Sequence, residues 1–164
     1  MRRLVPALAA VTIVALALCG CSSGTPEPKR PSNPRMSSSV QKVNGISVTL
    51  RAQPAVSKQG GTFDLTLTVR NLSGKPVTYT LPTGQTYEFI ASTKGGGDVW
   101  RWSQGKFFTE AVNTIALAPG ASKDFKVAWD LGTTAAGLYT IQGFFLGLPG
   151  VRPTVSVEVT AASS

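Results

Sequence analysis

The chain has 164 residues, a formal net charge of +8, no histidine, and two cysteines, Cys19 and Cys21. This composition excludes Ser-His-Asp and Cys-His catalysis, the commonest metal ligand, and any disulfide in a domain that begins beyond residue 21. From residue 44 onward ten basic side chains stand against seven acidic ones, so most of the excess charge lies near the N-terminus, and the concentrated basic face that nucleic acid requires is not expected.

Arg2 and Arg3 precede an apolar run, residues 4–18, broken only by Thr12. That order of charge and hydrophobicity is a secretory signal. The run is shorter than the ~20 apolar residues of an ordinary spanning helix. Leu18, three places before Cys21, and the small Gly20 just before it resemble a bacterial lipoprotein box. The resemblance implies a signal peptide over residues 1–20, cleavage after Gly20, and a diacylglycerol thioether on Cys21. Cys19 is the rival site, but bulky Leu18 precedes it. A plain signal peptide or a short anchor helix is the alternative. Each buried lipid methylene contributes about 0.8 kcal/mol, so a multiply acylated Cys21 would hold the protein on a bilayer. The expected location is therefore exported, and lipid-anchored to the bacterial membrane or cell envelope.

Residues 21–43 contain Pro26, Pro28, Pro31 and Pro34 among many serines, with Lys29, Arg30, Arg35 and Lys42 opposing Glu27. Such a stretch has little to bury and is expected to be a disordered, lipid-anchored linker, its cations drawn toward an anionic lipid surface. Residues 44–164 are enough for one domain with its own core.

That domain alternates apolar and polar residues with a period of two. Ile46, Val48 and Leu50 share one face, as do Phe63, Leu65, Leu67 and Val69. Val77, Tyr79 and Leu81 follow, then Tyr87, Phe89 and Ala91 against an outward Glu88. Later runs are Phe125, Val127, Trp129 and Leu131; Tyr139, Ile141 and Phe145; and Val155, Val157 and Val159. Glycine, proline and asparagine clusters separate the runs. The pattern predicts an all-β fold, a single immunoglobulin-like antiparallel β-sandwich following the signal peptide and disordered linker. Residues 105–110 have room for a short helical turn. Tyr139, near the start of the penultimate strand, is placed either as a tyrosine-corner residue bonding nearby backbone or as ordinary core.

The acids are scattered, and Asp124 and Asp130 share a solvated strand face, which argues against paired-carboxylate chemistry. Gly95-Gly96-Gly97 and Gly105-Lys106 lack the context of a phosphate loop. Asn71-Leu72-Ser73 matches a glycosylation sequon that a bacterial lipoprotein is not expected to use. No metal, no cofactor and no catalytic residue is expected, and the chain is not expected to be an enzyme.

Asn71-Leu72-Ser73-Gly74-Lys75-Pro76, Pro82-Thr83-Gly84-Gln85-Thr86-Tyr87, Val99-Trp100-Arg101-Trp102-Ser103, Gly105-Lys106-Phe107-Phe108-Thr109, Leu117-Ala118-Pro119-Gly120 and Ala136-Gly137-Leu138-Tyr139 occur in that order. Together they resemble the intracellular proteinase inhibitor family BsuPI, over about residues 63–145. The resemblance implies a compact β domain that inhibits a serine protease, and it supplies no reactive-site residue. The family's name says intracellular, whereas this chain carries an export signal, so the family's target need not be this protein's target.

The expected function is a non-catalytic, envelope-anchored binding module of the proteinase-inhibitor type. The alternative is a surface lipoprotein scaffold or interaction module with no protease target. Expected partners are the membrane, through lipidated Cys21, and a serine protease or another envelope protein. The candidate contact residues are Trp100, Arg101, Trp102, Lys106, Phe107 and Arg152. Trp100 and Trp102, two apart on a strand, are also expected on one face in the core, with Val99, Arg101 and Ser103 on the other. Residues 92–98 and 146–153 are the loops suited to entering a protease cleft, the second stiffened by Pro149 and Pro153, although an ordinary connecting role is expected for both.

Overall fold

The computed structural model describes residues 35–162; Cys21 and the sequence proposed as signal peptide lie outside the described residues. Among them are eleven strands: β1 Ser37–Val43, β2 Ile46–Gln53, β3 Val56–Lys58, β4 Thr62–Asn71, β5 Val77–Leu81, β6 Tyr87–Thr93, β7 Asp98–Arg101, β8 Asn113–Leu117, β9 Ser122–Asp130, β10 Gly137–Phe145 and β11 Thr154–Thr160. They form a four-stranded sheet β1-β2-β4-β9, a five-stranded sheet β3-β11-β10-β6-β7 and a small β5-β8 ribbon. All pairings are antiparallel except β3 with β11. The all-β sandwich expected from the alternation is the observed fold, with turns rather than a helix at residues 102–105.

The inward positions are those the period of two selects. Val48, Leu50, Ala52, Phe63, Leu65, Leu67, Val69 and Trp129 from one sheet meet Phe89, Ala91, Ile141, Phe145, Val155, Val157 and Val159 from the other, all buried. Gly143 occupies an inward position between Ile141 and Phe145. A Cβ there would lie 2.9 Å from Leu67 Cδ1 and 3.2 Å from Leu50 Cδ1, so the leucines fill the space a side chain would take.

One boundary differs from the sequence expectation. Residues 37–43 belong not to a flexible linker but to β1, paired with β2 from Ser37↔Ala52 to Val43↔Ile46. Asn44 and Gly45 turn the chain with φ of 46° and 77°. Both values are positive, as a two-residue hairpin turn matching strand twist requires. The strand's serines, Gln41 and Lys42 carry no hydrophobic alternation, so partner and turn, not composition, make it a strand.

Two polar devices fasten the sandwich. Asn71, fully buried at the end of β4, donates from Nδ2 to the carbonyls of Lys75 (2.6 Å) and Leu117 (2.9 Å), and its Oδ1 accepts from Ser73 N–H (2.9 Å) and hydroxyl (2.7 Å). Its backbone bonds Ala121 and Gly120, tying the β4–β5 turn to the β8–β9 corner. The asparagine of the sequon therefore has its side chain committed to structure. Tyr139 donates its hydroxyl to the Ala135 carbonyl at 2.8 Å while its ring packs edge-on against Trp129, so it is both a corner residue and core.

Candidate functional site

The strand β7 carries Trp100 and Arg101 and runs directly into an irregular connection, residues 102–112, that leads to β8. Alternation places the aromatic residues toward the core. Trp100 stacks on Trp129 with centroids 5.6 Å apart, and Trp102 lies over Tyr87 at 4.2 Å. Both indoles are half-buried. Burial raises the Tyr87 phenol above its usual 10.0, because desolvation disfavours the phenolate.

The opposite face holds the feature that the sequence pattern missed. Glu88 was expected outward and solvated; it points outward but is only 6% exposed. Its carboxylate accepts from the Ser103 N–H (3.1 Å), the Ser103 hydroxyl, the Phe89 N–H (3.1 Å) and Gln85 Nε2 (3.3 Å). Arg101 stands 3.8 Å away and forms a closer 3.0 Å ion pair with Asp98. A buried carboxylate is retained only where donors replace its water, and most of these come from within or beside the loop it holds. The one available signal was spacing: Arg101 and Ser103 alternate with the two tryptophans and therefore share the face of Glu88.

The loop is thus fixed at its first end by Glu88 and by Trp102 N–H donating to Phe89 O at 3.0 Å. Its other end is fixed by Gly84 N–H donating to Thr109 O at 2.8 Å, and a Cβ on Gly84 would come within 2.6 Å of Thr109 Oγ1. Phe108 packs on Trp102 at 5.6 Å, and the Lys106 ammonium sits 5.3 Å from the same ring, a cation–π arrangement. Between these supports Gln104, Gly105, Lys106 and Phe107 are exposed, and Phe107 is exposed to the full extent of a free side chain.

Of the candidate residues, Trp100 and Trp102 underlie the loop, Arg101 braces its start, and Lys106 and Phe107 form its crown. Arg152 is not part of this group. Its guanidinium lies 4.8 Å from the Phe144 ring, and its backbone N–H and C=O exchange bonds with the Gln41 side-chain amide (2.9 and 3.1 Å). Residues 146–153 are folded down rather than presented, with Val151 and Pro153 buried and Val151 N–H bonded to Leu148 O at 3.0 Å. Residues 92–98 form a tight hairpin closed by Thr93 N–H to Gly97 O. Among the described residues, no cluster of carboxylates, cysteines and histidines has the makings of a metal site.

Comparison with known proteins gives a family. A family profile described as intracellular proteinase inhibitor, BsuPI, matches residues 50–149. No curated protein matches the chain. Similar solved structures include a Pseudomonas fluorescens alkylpurine DNA glycosylase bound to DNA containing an abasic-site analogue (15% identity, TM-score 0.44, 76% of this chain and 30% of that one). An Erythrobacter marinus β-glucosidase (8% identity, TM-score 0.43) is covered over 16% of its length by 76% of this chain. The CARDB domain of a Pyrococcus furiosus protein in complex with di-metal ions (18% identity, TM-score 0.39) is covered over 89% of its length by 77% of this chain. The chain spans less than a third of the first of these proteins. The family match runs from within β2 into the loop after β10, more than half of the sequence, and the chain belongs to the intracellular proteinase inhibitor family BsuPI.

Proposed function

We propose that this protein is a non-catalytic inhibitor module, lipid-anchored in the cell envelope through Cys21, that engages a serine protease with the crown of residues 102–112. The observation that carries the reading is a loop fastened at both ends whose lysine and phenylalanine project into solvent. A segment already ordered before binding loses little conformational freedom on docking, which is what tight protease inhibition needs. Phe107 is the apolar anchor and Lys106 its charged neighbour; Trp100, Arg101 and Trp102 act beneath them. Arg152 would contribute only through a separate surface.

The test is inhibition by a fragment spanning 35–164, which contains every described strand and core residue, against trypsin-, chymotrypsin- and subtilisin-type proteases. Phe107→Ala is expected to weaken inhibition at least about tenfold, as removal of a central aromatic anchor does, with an unchanged melting temperature. Absence of inhibition at micromolar concentration against all three classes would sink the protease reading. Anchoring is tested separately: metabolic labelling of the full chain with palmitate is expected to be lost in Cys21→Ser and kept in Cys19→Ser. One observation favours the second reading, an interaction module with no protease target. The family is described as intracellular, and an exported member does not meet an intracellular protease.

A further inference from the structure

The outer face of the four-stranded sheet carries four of the domain's cations, Lys42, Arg51, Arg70 and Lys126. Nearest the Asn44–Gly45 turn, register places its side chains in three rows: Lys42, Ser47, Arg70 and Ser122; Val40, Thr49, Thr68 and Asp124; Ser38, Arg51, Thr66 and Lys126. The same face then continues into Gln53, Asp64 and Ala128, and Thr62 and Asp130, where the other acids lie. Two rows of cations, four residues or roughly 13 Å apart along the strands, thus flank a central hydroxyl-lined row. Lys42, Ser47, Thr49, Arg51, Thr68 and Arg70 line a shallow cleft of about 420 Å³. Asp124 also borders it, with Oδ1 taken by the Thr68 hydroxyl at 2.7 Å. Among the described residues the ion pairs both involve Arg101, so Lys42, Arg51, Arg70 and Lys126 are all without an acidic partner. Three exposed apolar side chains complete the surface: Val40 in the central row, Leu72 at the edge of the cleft, and Met36 beside Arg51 in the adjoining hollow.

We infer that this face is a second binding site, for the phosphate head groups of an anionic phospholipid surface. Charge complementarity selects a phosphate-bearing plane, because the end of the sheet nearest the Asn44–Gly45 turn spreads four cations against the single acid Asp124, so that they face many anions at once and enclose no single one, while Asp64 and Asp130 lie at the far end. The apolar residues fit the boundary between head groups and acyl chains. The attachment selects lipid in particular. The chain joins this sheet through its edge strand β1, sixteen residues after Cys21, a reach of at most about 55 Å, and Lys29, Arg30 and Arg35 lie in that stretch. The choice of lipid as occupant therefore draws on the anchoring reading, but binding by the face itself does not require Cys21. With this sheet toward the bilayer, the domain is held flat rather than swinging on its tether.

The test is sedimentation of the 35–164 fragment with vesicles of phosphatidylcholine alone or mixed equally with phosphatidylglycerol. The fragment lacks Cys21, so its failure leaves lipidation standing, and loss of palmitate labelling leaves this result standing. Binding is expected to the mixed vesicles only, and to be released at about 0.5 M salt, where screening is short-ranged. The pair Arg51→Glu and Arg70→Glu is expected to weaken partitioning at least about tenfold, whereas Lys75→Glu with Lys94→Glu, an equal charge change off this face, changes it less than about threefold. Thermal melts confirm that both pairs fold. Equal losses from the two pairs, equal binding to phosphatidylcholine, or capture by soluble polyphosphate with no vesicle binding would each overturn the inference.

Discussion

Residues 102–112 and 146–153 flank one short connection and are held in opposite ways. The connection touches both: Gly84 N–H donates to Thr109 O at 2.8 Å, and Thr86 O accepts from Leu146 N–H at 3.0 Å. A tyrosine lies beneath each, Tyr87 under Trp102 and Tyr79 against Gly147, where a Cβ would come within 2.9 Å of the ring. Residues 146–153 bury Val151 and Pro153 and are bonded along their length, Leu148 N–H to Phe145 O, Val151 N–H to Leu148 O and Arg152 to the Gln41 amide, so they lie along the core. Residues 102–112 are tied at the ends by groups outside the loop and leave Phe107 in water. Proline content alone would have ranked the two the other way. What makes a loop presentable is where its fastenings lie: at the ends, they leave the crown rigid and free.

The largest expected effect comes from removing the aromatic support. Trp102→Ala is expected to cost about 2–4 kcal/mol, somewhat below a fully buried tryptophan because the ring is half-exposed. Hydrogen exchange should rise in residues 102–110 and not in 146–153; equal loosening of both would break the contrast. Glu88→Ala follows, at roughly 2 kcal/mol, since it strands the Ser103 and Phe89 N–H donors. If Glu88 is the clasp, exchange at Ser103 quickens in this variant while Arg152 is unmoved. Gln41→Ala is the mirror experiment, with about 0.5–1 kcal/mol expected from two exposed bonds, and faster exchange at Arg152 alone.

The smallest effect concerns the two tyrosines. Burial raises both phenols above 10.0. The folded state therefore favours the protonated form, so this stability is complete below pH 10, the unfolded value, and is lost as pH rises through the higher folded values. The Tyr79 hydroxyl is buried without a partner. Tyr79→Phe is accordingly expected to be neutral or to stabilise by up to about 1 kcal/mol, and to lessen the alkaline loss; a clear destabilisation in a thermal melt at pH 7 would show a bonded hydroxyl.

Much of the molecule is legible in the sequence. The period of two marked β2, β4, β5, β6, β9, β10 and β11, because a half-buried sheet imposes that spacing on any chain that forms it. The strand β1 was not legible, since an edge strand of serines and polar residues owes its existence to its partner and its Asn44–Gly45 turn. Alternation also placed Glu88 correctly as outward but could not show its burial. That burial depends on Ser103 and Arg101, fifteen and thirteen positions away, folding back over it.

The sequence by itself determined the sandwich, the inward residues, the family resemblance and the candidacy of Lys106 and Phe107, all consequences of local spacing and residue type. Only the tertiary structure decided that Glu88 anchors residues 102–112, that Asn71 is a buried hub, and that residues 146–153 lie flat. It alone aligned Lys42, Arg51, Arg70 and Lys126 on one face. Each of these rests on strands distant in sequence coming into register, which fixes partners that no local pattern specifies.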